Sequence, residues 1–177
     1  MKNLARPNRF LVEITTPTGV SAFKFEEKDQ YYVRSANLPG KTIGDITNLF
    51  WFGENYKIAG DPTFEDLTLK FLDQFNHGLR LKFLTWMEAI ASTVSNERGE
   101  PGDYKTVITL HQLDNANNTM ATCYCHGAYP KIVGPIEVGQ DQNDAVEEFD
   151  VTFSIDTFTN SPVAGSGSGV NVSATIK

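Results

Sequence analysis

The sequence predicts a mainly β fold, a β-sandwich or barrel of antiparallel strands with one flanking α-helix. Three observations carry this. At least seven short segments alternate apolar with polar residues between Gly, Pro, Asn and Asp punctuation. A single stretch, around Phe83 and Trp86, repeats at helical spacing. A chain of 177 residues with 12 Phe can bury roughly 70% of its unfolded surface in one core, so neither disulfide nor metal is needed for stability.

Taken in order, Phe10, Val12 and Ile14 alternate with Arg9, Leu11 and Glu13 as a first strand. Thr16-Pro17-Thr18-Gly19 reads as a turn, and Val20–Glu26 as a returning strand with Phe23 and Phe25 on one face. Tyr31–Ala36 makes a third strand, stopped by Asn37-Leu38-Pro39-Gly40. Lys41–Ala59 reads as a long hairpin that protrudes from the body. Its run Leu49-Phe50-Trp51-Phe52 is apolar on successive residues, so half of it needs cover from outside its own strand face, which points to a partner surface. Gly60-Asp61-Pro62 is expected as a tight turn into a strand from Phe64 to Leu72, with Leu67, Leu69 and Phe71 inward and Asp66, Thr68 and Lys70 outward.

Asn76 is expected to cap the helix, which runs to about Ser92. Leu79, Phe83, Trp86, Met87, Ile90 and Val94 form its apolar stripe, with Phe83, Trp86 and Ile90 as core positions. Ser95–Asp103 is a solvated loop. Strands follow over Tyr104–Leu113 and Thr119–Tyr129 around an Asp114–Asn118 turn, then Pro130 and Pro135 interrupt, and Ala145–Phe158 alternates cleanly. Residues 1–160 thus read as one domain. Residues 161–177 read as a Gly/Ser-rich linker ending in a short β-prone tail, Val170–Ile176.

No enzyme chemistry can be assembled. There is no Gly-x-Ser-x-Gly elbow, no His-Glu-x-x-His and no phosphate-cradling Gly-rich loop with its Lys. Cys123 and Cys125 fall on one face of one strand and read as reduced, partly buried thiols, poorly placed to bridge. With His126 they make half of a zinc set at most, so no metal and no cofactor is expected. The acids Glu137, Asp141, Asp144, Glu147 and Glu148 read as a solvated loop. A formal charge of −7 argues against tight nucleic-acid binding, which needs a basic stripe. Neither an apolar leader nor a membrane-length apolar run is seen, so a soluble protein made in a cytoplasm, with no membrane contact, is expected.

Several blocks, in order and register, resemble the tail tube proteins of contractile-tailed bacteriophages of the T-even type. They are Ala5-Arg6-Pro7-Asn8-x-Phe10 leading to Val12-Glu13-Ile14, then Leu38-Pro39, Ala59-Gly60-Asp61-x-Thr63-Phe64-x-Asp66, and Phe83-x-x-Trp86 in the helix. Tyr129-Pro130-x-x-Val133-Gly134 and Glu148–Phe153 complete the set. The resemblance covers roughly residues 5–158. It implies a sandwich whose sheets join in six-membered rings, with the rings stacked into a hollow tube. It further implies subunit contacts from Ala5, Arg6, Pro7 and Asn8 and from Leu49, Phe50, Trp51, Phe52 and Tyr56 in the excursion.

On that resemblance the chain is a structural virion subunit assembled in the host bacterial cytoplasm, conducting DNA during genome ejection and scaffolding a contractile sheath. Its implied partners are itself, the sheath, baseplate and terminator proteins, and the tape measure protein and DNA within the lumen, bound without sequence specificity. Lumen-facing positions are expected to be acidic or neutral, though sequence does not identify them. The rival readings are a tube subunit of a bacteriocin or secretion-system device and, from another class, a monomeric ligand-binding barrel.

Overall fold

The computed structural model describes residues 7–51, 54–139 and 146–162; the side chains of residues 46–56 lie outside that description. In chain order the elements are β1 (Phe10–Ile14), a 3₁₀ helix (Glu27–Tyr32), β2 (Val33–Ala36), β3 (Lys41–Trp51), β4 (Glu54–Phe64) and β5 (Leu67–Leu72). Two helices follow, α1 (Gly78–Ile90) and the one-turn α2 (Pro101–Tyr104). The chain then forms β6 (Thr106–Leu113), β7 (Thr119–Val133), β8 (Glu148–Ser154) and β9 (Thr157–Pro162). The fold is mainly antiparallel β, with few helices.

Seven strands make one hydrogen-bonded system in the order β1-β6-β7-β8-β5-β2, with β9 also on β7. The long β7 joins its two halves. Residues 119–128 of β7 pair with β6 on one side and residues 121–126 pair with β9 on the other, whereas Tyr129–Val133 pairs with β8. The change of partner needs a bend. Gly127 supplies it with φ +65°, in the left-handed region, where a Cβ would run into the Asp156 carboxylate. Asp156 is the turning point between β8 and β9. Its N–H donates to His126 O at 3.0 Å and its carboxylate accepts from Lys105 Nζ at 2.8 Å.

The core is aromatic. Leu67, Leu69 and Phe71 of β5 and Phe149, Val151 and Phe153 of β8 alternate inward with at most 1% exposure. α1 lays Leu79, Phe83 and Trp86 onto them. The Phe83 centroid lies 5.0 Å from Phe71 and 5.9 Å from Phe153, and Trp86 lies 4.5 Å from Phe23. Burial of one such ring contributes about 1.5–3 kcal/mol. Trp86 Nε1 donates to Tyr104 O at 3.0 Å, so the indole is buried without an orphaned donor. On the flank of α1, Lys82 Nζ meets the buried Asp29 carboxylate at 2.6 Å and fixes the 3₁₀ helix against it.

Several expectations need correction. Val20–Glu26 is not a strand: the N–H groups of Val20 and Phe23 donate to Pro17 O and Val20 O, so consecutive turns carry Phe23 into the core. Tyr31 and Tyr32 close the 3₁₀ helix, and only Val33–Ala36 is extended. The helix N-cap is His77, in a left-handed conformation, not Asn76; the Asn76 side chain still accepts from Gly78 N–H at 3.2 Å. The helix stops at Ile90, because Ala91 is extended and Glu88 accepts from both Ser92 Oγ and Thr93 N. Val94 therefore leaves the stripe and is 93% exposed, while Met87 and Ile90 are half-buried. The expected loop 95–103 contains the start of α2.

The strand drawn through Pro130 as a boundary in fact continues to Val133. An extra residue, Lys131, is accommodated as a bulge opposite β8, the position in a ladder where a proline is tolerated. Ala145–Phe158 divides at Asp156 into β8 and β9, and Ser161-Pro162 ends β9 instead of opening the linker. The expected tail, Val170–Ile176, lies outside the described residues.

Candidate subunit-contact surface

Among the described residues β3 and β4 pair only with each other, as a two-stranded ribbon set apart from the seven-stranded system. Its register runs from Lys41↔Phe64 at the base to Trp51↔Glu54 at the far end, so the expected hairpin is present and longer than drawn, closing at Phe64 instead of Ala59. The Gly60-Asp61-Pro62 block is not a turn. Ile43 pairs with Pro62 and Asp45 with Ala59, which leaves Gly60 and Asp61 opposite the single residue Gly44. The block is a β-bulge inside β4, and Pro62, which lacks a donor, sits at that irregularity. A second irregularity, between Ile46 and Leu49, sets three steps of β3 against two of β4. The strand expected from Phe64 to Leu72 is accordingly cut at Glu65-Asp66, and Leu67 starts β5.

The base of the ribbon is pinned to the body. Phe64 packs edge-on against Phe158 of β9 with centroids 5.7 Å apart, Lys41 Nζ lies 5.7 Å from the Phe64 ring centre, and Glu65 N–H donates to Gly40 O at 3.0 Å. Above the base the described side chains face solvent: Ile43 is 56% and Ile58 47% exposed, and Asp45 with Lys57 makes only a loose exposed pair at 3.6 Å. A two-stranded ribbon is at best marginally stable alone in water. Exposed Ile on such a ribbon favours cover from another surface.

The N-terminal segment is positioned separately. Arg9 Nη1 donates to Asp114 O, Asn115 O and Asn117 Oδ1 at 3.0–3.1 Å, and Leu113 N–H donates to Arg9 O. Asp114 in turn caps the β6–β7 turn, accepting from Ala116 and Asn118 N–H groups at 2.6 and 3.0 Å. Backbone hydrogen bonds, that of Asn118 first, hold the Asp114 carboxyl below its ordinary pKa. The arm therefore leaves β1 beside this turn, with Pro7 and Asn8 exposed.

Residues 5–161 match the phage tail tube protein family. The chain belongs to that family. Among its relatives, tail tube protein gp19 of Enterobacteria phage T4 is 28% identical over 157 residues, spanning 87% of this chain and 90% of that one. Its counterpart in Enterobacteria phage T6 is 30% identical over 159 residues with the same coverage, and the tail tube protein of Serratia phage KSP90 is 26% identical over 145. In fold, the chain is similar to a chain of the sheath-tube complex of the PVC extracellular contractile injection system in its extended state. The TM-score there is 0.68 at 16% identity, covering 92% of this chain and 94% of that one. A chain of the anti-feeding prophage tube-terminating cap gives 0.68 at 16% identity, covering 92% and 93%.

Tail tube proteins are structural subunits of the virion, and this chain is one of that kind. Of the expected contact residues, Pro7 and Asn8 are exposed beside the β6–β7 turn, and Leu49, Phe50, Trp51 and Tyr56 occupy the paired outer end of the ribbon. The side chains of those four, and Ala5, Arg6 and Phe52 altogether, lie outside the described residues. Arm and ribbon are separate features, each fixed to the body on its own. The helix residues Phe83 and Trp86 are buried as expected, with Ile90 half-buried against the core.

Arg9 was missed. It occupies the unassigned position of the Ala-Arg-Pro-Asn-x-Phe block, where periodicity gives only an outward polar residue, and no local signal shows that three acceptors wait about 100 residues downstream. Two surface hollows among the described residues bear on the ligand-binding alternative. One, of about 680 Å³, lies beside the arm with Phe10, Leu38, Leu110, Cys123 and Asn160 among its walls. The other, of about 510 Å³, is polar and bordered by Lys70, Glu137, Glu147, Glu148 and Asp150. No helix among the described residues is long and apolar enough to cross a membrane.

Proposed function

We propose that the chain is the repeating, non-catalytic subunit of a hollow phage tail tube. In this reading the two halves of the β system form a sandwich, six copies close a ring by joining their sheets, and rings stack through the ribbon and the N-terminal arm. The observation that carries it is the β3–β4 ribbon: eleven residues a side, pinned at its base, paired with no other described strand, and exposing Ile43 and Ile58 along its length. In a member of the tail tube family, a neighbouring copy is the natural cover for it.

The conduit role follows from charge. Six copies of a −7 chain carry −42 formally, and a channel without a basic lining would not hold phosphates by counterion release, so DNA could slide through it. The sheath, baseplate, terminator and tape measure proteins are the proposed partners, and the host cytoplasm the proposed place of assembly. A tube that delivers cargo other than a genome is the second reading. Its support is the likeness in fold to contractile injection systems, and it is weaker because the curated relatives are phage proteins. Capsid genes beside the coding gene favour the first reading, and their absence the second.

Electron microscopy of the purified protein tests the assembly directly. Six-fold rings or tubes with a central channel are expected. A strictly monodisperse monomer under all conditions, binding a small molecule in one of its hollows, would overturn the reading in favour of a ligand-binding barrel.

A further inference from the structure

Cys123 and Cys125 have no part in the assembly reading, yet their arrangement is specific. They lie two apart on β7, so both side chains take the same face, and their sulfurs are 4.0 Å apart. Both are free and buried, Cys123 5% exposed and Cys125 fully covered. Leu110 and Asn160 pair with Cys123 across the sheet, and Ile108 and Phe158 with Cys125. Cys123 also forms part of the wall of the 680 Å³ hollow, so the pair is approached from the Cys123 side.

We propose that this pair is a two-thiolate site for a thiophilic, two-coordinate divalent cation of the mercuric class. A disulfide needs sulfurs about 2.05 Å apart, far closer than an extended i, i+2 pair holds them. Metal–sulfur bonds of about 2.3 Å, by contrast, put two sulfurs roughly 3.8 Å apart at a tetrahedral angle and roughly 4.6 Å apart when collinear. The observed 4.0 Å lies between these limits.

The donor set selects the ion. Structural zinc wants four ligands, and the nearby imidazoles are engaged elsewhere: His111 hydrogen-bonds Thr122 at 3.1 Å and His126 hydrogen-bonds Thr159 at 3.1 Å. Among the described residues no third His, Cys, Asp or Glu joins the pair, and two soft thiolates suit a soft d¹⁰ cation. Charge agrees as well. The reaction Hg²⁺ + 2 RSH → Hg(SR)₂ + 2 H⁺ breaks both S–H bonds, forms two S–Hg bonds, releases both protons to solvent and transfers no electron. Its product is neutral, so the surrounding Leu110, Ile108 and Phe158 enclose no net charge.

The test is titration of the folded full-length chain with mercuric chloride in reductant-free buffer, following sulfur-to-metal charge-transfer absorption and released protons. One ion and two protons per chain are expected, with circular dichroism unchanged. Cys123→Ser and Cys125→Ser should each weaken binding at least 100-fold and release one proton. Two ions per wild-type chain, uptake only after denaturation, or undiminished affinity in Cys123→Ser would overturn the proposal. Should Cys125→Ser not fold, Cys123→Ser and the wild-type proton count still decide it.

Discussion

The body and the ribbon are built from similar residues and held by different means. In β5 and β8 every second side chain is an apolar group with at most 1% exposure, and two neighbouring strands or a helix cover each one. In β3–β4, Ile43 and Ile58 are equally apolar yet about half exposed, on a ribbon whose only described strand partner is its own return. β5 and β8 bury their apolar side chains within the body, whereas the ribbon carries Ile43 and Ile58 away from it half exposed. Backbone hydrogen bonds alone therefore mark a strand without locating what buries it.

The sharpest break in this comparison comes at Trp86. Trp86→Ala removes a fully buried ring and the hydrogen bond to Tyr104 O. It should cost about 3–5 kcal/mol, seen as a fall in the denaturation midpoint at unchanged slope. Gly127→Ala comes next. An L-residue at φ +65° costs roughly 1–2 kcal/mol even without the collision with Asp156. Thermal melting should register a loss of at least that size.

Under the proposed assembly, replacing Leu49, Phe50, Trp51 and Phe52 together by Ser is expected to move the unfolding free energy of the monomer by less than about 2 kcal/mol, four times the range of a single surface site and below the loss from Trp86→Ala. The same change should abolish tubes in electron micrographs. A large loss of monomer stability would mean that the ribbon is packed on its own body, and the comparison would fail.

Smallest is a local effect at the root of the arm. Asp114 has a lowered pKa in the folded chain, so its capping contribution is present above its ordinary value of 3.8 and is lost as pH falls through the lowered one. An NMR titration should place its midpoint below 3.8, with the Ala116 and Asn118 amides shifting together. A midpoint at or above 3.8 would contradict the cap.

Elements whose burial is one-sided and whose neighbours are regular were legible in the sequence. β5, β8 and the first three turns of α1 follow their periodicities because each faces a single core. The failures share a cause. Phe23 and Phe25 mimic a strand by spacing, but consecutive turns put Phe23 into the core with no ladder at all. Val94 continues the helical stripe by spacing alone, while Glu88 captures the Ser92 and Thr93 donors and ends the helix first. Pro130 and Pro62 were read as boundaries, and bulges carry the strands through both. On the contact surface, the ribbon was visible as an apolar run too dense for one face. The Arg9 anchor was not, because its acceptors, two main-chain carbonyls and the Asn117 side-chain oxygen, converge only once the β6–β7 turn has formed.

The pairing of Phe10 with Gln112 fixes an order of events during synthesis. At about 5–20 residues per second, β1 waits roughly 5–20 s for its partner to be made. The ribbon, whose strands are joined directly to each other, has all its residues long before then. A nascent chain can thus complete its β3–β4 hairpin while the body that should carry it is still unfinished. Under the proposed assembly, polysomes crowded with such chains would bring ribbons together early, and the pace of translation would be one of the controls on tube growth.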